Sequence, residues 1–137
     1  MQYLLLVYTD ADLLDKLPEE DFNTEMRGCL QNADALKAQG KVLGFQQLQP
    51  AATARTVRSR NGRAAVLDGP FAETKELVAG FWLWQVRSMD EAIEWARRCP
   101  NPHPSDCELE LRPVFEAEDF GAALTPEIQA QNAGLRA

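Results

Sequence analysis

An α+β fold, with two helices covering one face of an antiparallel sheet, is what this sequence predicts, and three observations predict it. Short apolar runs of strand length alternate with two longer stretches whose apolar residues recur at steps of three and four, the periods that separate strand from helix. The runs follow one another as strand, helix, several strands, helix, strand, which is the split βαβ pattern. Between the two halves stands Asn61-Gly62 flanked by strand-like residues, a strong local signal for a hairpin.

Taken in order, Gln2 to Tyr8 is apolar and too short for a helix, so it reads as a buried strand. A variable stretch to Leu17 leads to Pro18-Glu19-Glu20. Proline suits the first helical position and acids favour the positive end of the helix dipole, so a helix opens there. Phe22, Met26, Cys29, Leu30, Ala33 and Leu36 form its apolar stripe, and Gly40 ends it by admitting a left-handed backbone. Val42 to Gln49 is the second strand, closed by Pro50. Thr53 to Ser59 and Arg63 to Leu67 pair around a type I′ turn at Asn61-Gly62. Asp68-Gly69-Pro70-Phe71 is a turn, and Leu77 to Val86 is a long strand carrying Phe81, Trp82 and Trp84.

Ser88-Met89-Asp90-Glu91 is a capping box opening a helix that buries Met89, Ala92, Ile93 and Ala96 and stops at Pro100. Three prolines stiffen the loop to the last strand, Cys107 to Val114. The whole is a ferredoxin-like domain of residues 1–120 with an inserted hairpin. Residues 121–137 form a C-terminal tail with a short helix at Pro126. The tail has few large apolar groups, so it is expected to lie across a partner subunit or a barrel rim.

Composition narrows the function classes. The chain of 137 residues is the length of one domain, and its 45% hydrophobic content suffices for one core. A formal charge of -7, with 14 basic against 21 acidic residues, argues against nucleic acid and against an anionic membrane surface. The apolar run from Tyr3 to Tyr8 is far shorter than the roughly 20 residues that span a bilayer, and no secretory leader is recognisable. Cys29, Cys99 and Cys107 include no C-x-x-C pair, the usage expected of a reducing cytoplasm.

The stretch Asp68-Gly69-Pro70-Phe71-Ala72-Glu73-Thr74-Lys75-Glu76, followed by Gly80-Phe81-Trp82, resembles the signature of DGPF-domain proteins of the YCII-related family. Tyr3 to Leu6, Asp90 to Ala96 and Glu110 to Val114 agree with it, so that the resemblance covers roughly residues 1 to 120. It implies a ferredoxin-like domain that pairs sheet to sheet into a dimeric α+β barrel. In better-known members the case for catalysis rests on a His–Asp pair with its histidine near the first helix. This chain departs from that pattern, its one histidine being His103.

Several residues are candidates for chemistry. Strand alternation puts Cys107, Leu109 and Leu111 on one face of the last strand and Glu108, Glu110 and Arg112 on the other. The charged set is either a solvated face or the wall of a polar cavity in which Arg112 binds a ligand carboxylate and Glu110 orients it. Asp68 either accepts backbone donors in its turn or supplies an acid-base group at the barrel mouth, with Glu73 and Lys75 close by. His103 is either an exposed loop residue or a general base. The spacing of Cys99, His103 and Cys107 suggests zinc but lacks a fourth ligand, so no metal is assigned.

Phosphate loops, nucleophile elbows and nucleotide fingerprints are missing from the sequence, and no cofactor is expected. The expected function is therefore binding of a small polar or carboxylate-bearing molecule, or cofactor-independent catalysis upon it by proton transfer, isomerisation or addition-elimination. Asp68 and His103 are the catalytic candidates; Lys75, Glu110 and Arg112 are the ligand-binding ones. The competing class is a protein-interaction module. A homodimer is expected in either case. A sheet with helices on one face leaves the other open, and the strand with Trp82 and Trp84 would add aromatic area to it.

Overall fold

The computed structural model describes residues 1–10, 18–70, 76–99 and 108–136. In chain order these form β1 (Gln2–Asp10), α1 (Glu19–Ala38), β2 (Val42–Gln47), β3 (Arg55–Arg60), β4 (Arg63–Asp68), β5 (Glu76–Gln85), α2 (Met89–Arg97), β6 (Glu108–Pro113) and α3 (Pro126–Arg136). Short 3-10 segments lie at Ala51–Thr53 and Ala117–Ala123. Four strands make one sheet in the order β2-β5-β1-β6, every neighbouring pair antiparallel. This is the ferredoxin-like arrangement, in which each helix carries the chain over a strand laid down in the other half. The inserted hairpin β3–β4 stands outside the main sheet as a two-stranded sheet of its own.

Local chemistry accounts for most element ends. Gly40 takes φ +68°, its N–H donates to the Lys37 carbonyl, and the Lys41 N–H reaches back to that of Leu36. That is a Schellman closure, which glycine adopts without steric cost. Asn61 and Gly62 have φ of 53° and 75°, as a type I′ turn requires at both central positions. At the start of α2 the Ser88 hydroxyl accepts the Glu91 N–H at 3.2 Å. The Glu91 carboxylate then passes the serine and accepts the Arg87 N–H at 2.7 Å, so the second half of the capping box is displaced by one residue. Thr53 belongs to a 3-10 turn rather than to β3, because Pro50 fixes the chain there and its carbonyl takes both the Thr53 N–H and hydroxyl.

The core lies between α1, α2 and one face of the sheet. Tyr3 and Leu5 of β1 stand opposite Trp84 and Trp82 of β5, and Leu36, Ala92 and Trp95 close over them from the helices. Leu109 and Leu111 pack against the same cluster, as alternation along the last strand requires. Two expectations need correction. Leu30 lies half in solvent, on the flank of α1 away from the sheet. Trp82 and Trp84 are both buried under the helices, since residues two apart on a strand share a face; the open face receives Phe81 instead. The Trp84 indole N–H finds no acceptor among the described residues, so packing alone holds that ring. The side chain of Phe22 lies outside those described. Among the described residues no helix is long and apolar enough to cross a membrane.

Candidate functional site

The sheet face turned away from the helices is built by register. On it Leu4 stands between Leu83 and Arg112, Leu6 between Phe81 and Glu110, and Tyr8 between Val78 and Glu108. On the far side Gly44 and Gln46 of β2 flank Leu83 and Phe81. The result is a half-buried apolar floor of Leu4, Leu6, Phe81 and Leu83 with a charged wall along β6. Among the described residues, the buried apolar side chains of α1 and α2 all belong to the core on the opposite face.

The wall is an ordered triad. The Arg112 Nε–H donates to Glu110 Oε1 at 3.0 Å, and the Tyr8 hydroxyl donates to Glu110 Oε2 at 2.9 Å. Tyr8 reaches Glu110 diagonally across the ladder, a span that an aromatic side chain covers. Both carboxylate oxygens are thus occupied by donors. The phenol hydrogen bond and then the guanidinium hold the Glu110 carboxyl below its usual range. The same hydrogen bond, with burial and the charge of Glu110, pushes the Tyr8 phenol up. At neutral pH the group is an anion between two donors, which suits holding a cation in place better than removing a proton. Arg112 is 69% exposed in the single chain. The terminal N–H groups of its guanidinium have no acceptor among the described residues.

The remaining candidates lie elsewhere. Asp68 ends β4 opposite Arg55 and forms an ion pair with it, Oδ1 lying 3.2 Å from Nε, with its side chain 92% exposed. It takes no backbone donor among the described residues. The turn is closed instead by the Gly69 N–H on the Ala54 carbonyl and the Thr56 hydroxyl on the Gly69 carbonyl. No described bond joins Asp68 to Glu110 or Arg112. Lys75, His103 and Cys107 fall outside the described residues, as does Glu73, and no group of three metal-ligating side chains occurs among the described ones. The structure therefore brings Glu110 and Arg112 together and leaves Asp68 apart.

Two features escaped the sequence reading. Tyr8 closes an apolar run in the sequence, although its parity with Leu4 and Leu6 places it on the open face. The other is a brace at the start of α2, where Lys41 pairs with Glu91 and Arg87 donates to the same carboxylate at 3.4 Å. The Trp95 ring lies there within reach of two cations, Lys41 Nζ at 5.5 Å from its centroid and the Arg98 guanidinium at 4.9 Å. An open groove of about 700 Å³ runs over these residues. The Arg87 backbone N–H, the Lys41 ammonium and the Arg87 side chain hold the Glu91 carboxyl down at about 2. The strongest charges of the groove already satisfy one another, so the cluster joins β2 and the end of β5 to α2 as a structural tie.

The chain is similar to known proteins over most of its length. The profile of the YCII-related domain matches residues 1–118. A protein of Rhizobium meliloti (strain 1021), named "Uncharacterized protein R00369", is 36% identical over 114 residues, which cover 83% of this chain and 92% of that protein.

Proposed function

The chain belongs to the YCII-related family, and from that premise we propose that it binds a small carboxylate-bearing molecule on the open sheet face, inside a barrel closed by a second copy. The observation that carries this reading is the Tyr8–Glu110–Arg112 triad beside a half-buried apolar floor. An apolar floor with a few convergent polar groups is the usual make-up of a small-molecule pocket. Glu110 fixes Arg112 through Nε, which leaves its two terminal nitrogens to meet a carboxylate in a bidentate pair. Leu4, Leu6, Phe81 and Leu83 offer surface to the ligand's carbon skeleton. Sheets in direct contact lie about 10 Å apart with their side chains filling the gap, so a barrel with a pocket must hold the two sheets further apart than that. Covering that face would also remove the guanidinium from water, where an anion is its best partner.

Calorimetric titration with a panel of mono- and dicarboxylates tests the reading. The native chain should bind at least one of them, and Arg112→Met should weaken that ligand by about tenfold or more, equivalent to about 1.4 kcal/mol. Its sedimentation as a dimer should be unchanged. Equal binding by native chain and variant would remove Arg112 from the site.

A further inference from the structure

Among the described residues the β3–β4 hairpin and the C-terminal segment are both largely exposed, and their surfaces complement each other. Every residue of β4 is exposed, and only Thr56 of β3 is partly sheltered. Val57 and Val66 stand directly opposite on one hairpin face, 65% and 70% exposed. The other face sets Arg60 opposite Arg63, with Arg58 two residues along. Like charges placed opposite destabilise a ladder, and a two-stranded hairpin is marginal by itself. An acidic and partly apolar surface would correct both defects.

The C-terminal segment is such a surface. Between residues 55 and 68 four arginines face one acid, whereas residues 116 to 136 hold four acids against one arginine. Phe115, 64% exposed, lies against Phe120 with ring centroids 5.1 Å apart, making an aromatic platform beside Glu116 and Glu118. Ile128 and Leu135 of α3 are also exposed. No described bond joins the hairpin to this segment within one chain.

We infer that the hairpin of one chain seats its valine face on the Phe115–Phe120 platform of a second copy, with its arginines reaching round the edge to the acids of that segment. The contact would occur twice about a two-fold axis, since what one arm offers the other chain it also receives. The inference rests on the two-copy assembly proposed above and says where its arms and tails go.

A charge-swap experiment tests it by sedimentation equilibrium. One variant carries Arg58→Glu, Arg60→Glu and Arg63→Glu. The other carries Glu118→Arg and Glu127→Arg, leaving Asp119 in place because it caps the Glu116 backbone. Each alone should raise the dimer dissociation constant about tenfold or more, and mixing the two should restore native affinity through heterodimers. If either variant fails to fold, the matching glutamine series is used instead; it should abolish the salt dependence of the native dimer constant. Variants that dimerise like the native chain, or a weakened pair that mixing does not restore, would overturn the inference while leaving the barrel site standing. A native chain that stays monomeric would overturn both.

Discussion

Arg112 shows what strand alternation can and cannot deliver. Its face and its neighbour Glu110 followed from the apolar parity of Leu109 and Leu111, and the ion pair between them is present. The hydrogen bond from Tyr8 did not follow, because it depends on which strand lies beside β6, and a single sequence does not state its own register. Glu91 illustrates the same limit. As the acid of the Ser88–Glu91 motif it was legible; as the partner of Lys41, fifty positions away in the chain, it was not. Its carboxyl sits at about 2 rather than the ordinary 4.5. A carboxyl depressed in the folded state stabilises fully above its unfolded value, and that stability is lost as pH falls through the folded one. Glu91→Gln should therefore cost about 2 kcal/mol near neutral pH, measured by urea unfolding. The difference from the native chain should shrink as pH falls from 4.5 towards about 2. A gap that stays constant across that window would show that the charge of Glu91 contributes nothing.

Helix ends and the tight turn were the most readable elements, since proline, glycine, serine and Asn-Gly act within a few residues of themselves. Strand ends were less so. β2 stops at Gln47 and β5 gains Glu76, because both boundaries depend on where pairing with another strand ceases. Gly80 shows pairing imposing its own demand. A Cβ there would meet the Gln46 carbonyl oxygen at 2.8 Å, next to the point where the β1–β5 register shifts. That neighbour is backbone of the adjoining strand and cannot rotate aside. Gly80→Ala should destabilise the fold by about 1–3 kcal/mol, read from the urea midpoint, whereas Gly44→Ala, whose added Cβ would lie 3.7 Å from the Leu83 Cβ, should cost less. Equal midpoints for the two variants would refute the close approach of β2 to β5.

At the scale of the molecule, the order of elements sufficed to give the ferredoxin-like sheet and the helices on one side of it. The independence of the β3–β4 hairpin was not readable, because its strands carry the same alternation as strands that join a larger sheet. The tryptophans pointed to the wrong face for a related reason: bulk marks burial, and only parity with Tyr3 and Leu5 shows on which side. Among the described residues, the floor of Leu4, Leu6, Phe81 and Leu83 is half-buried, and the hairpin and the tail are largely exposed. A second copy is proposed to cover all three and to enclose the triad. The methyl NMR spectrum of Leu4, Leu6 and Leu83, followed during titration with the carboxylate that calorimetry identifies, tests this most directly. The expected result is a saturable shift of these three methyls, with Leu5 on the opposite face unmoved, and loss of the shift in Arg112→Met. Shifts confined to other residues, or the same shifts in native chain and variant, would contradict a carboxylate site on the open face of the sheet.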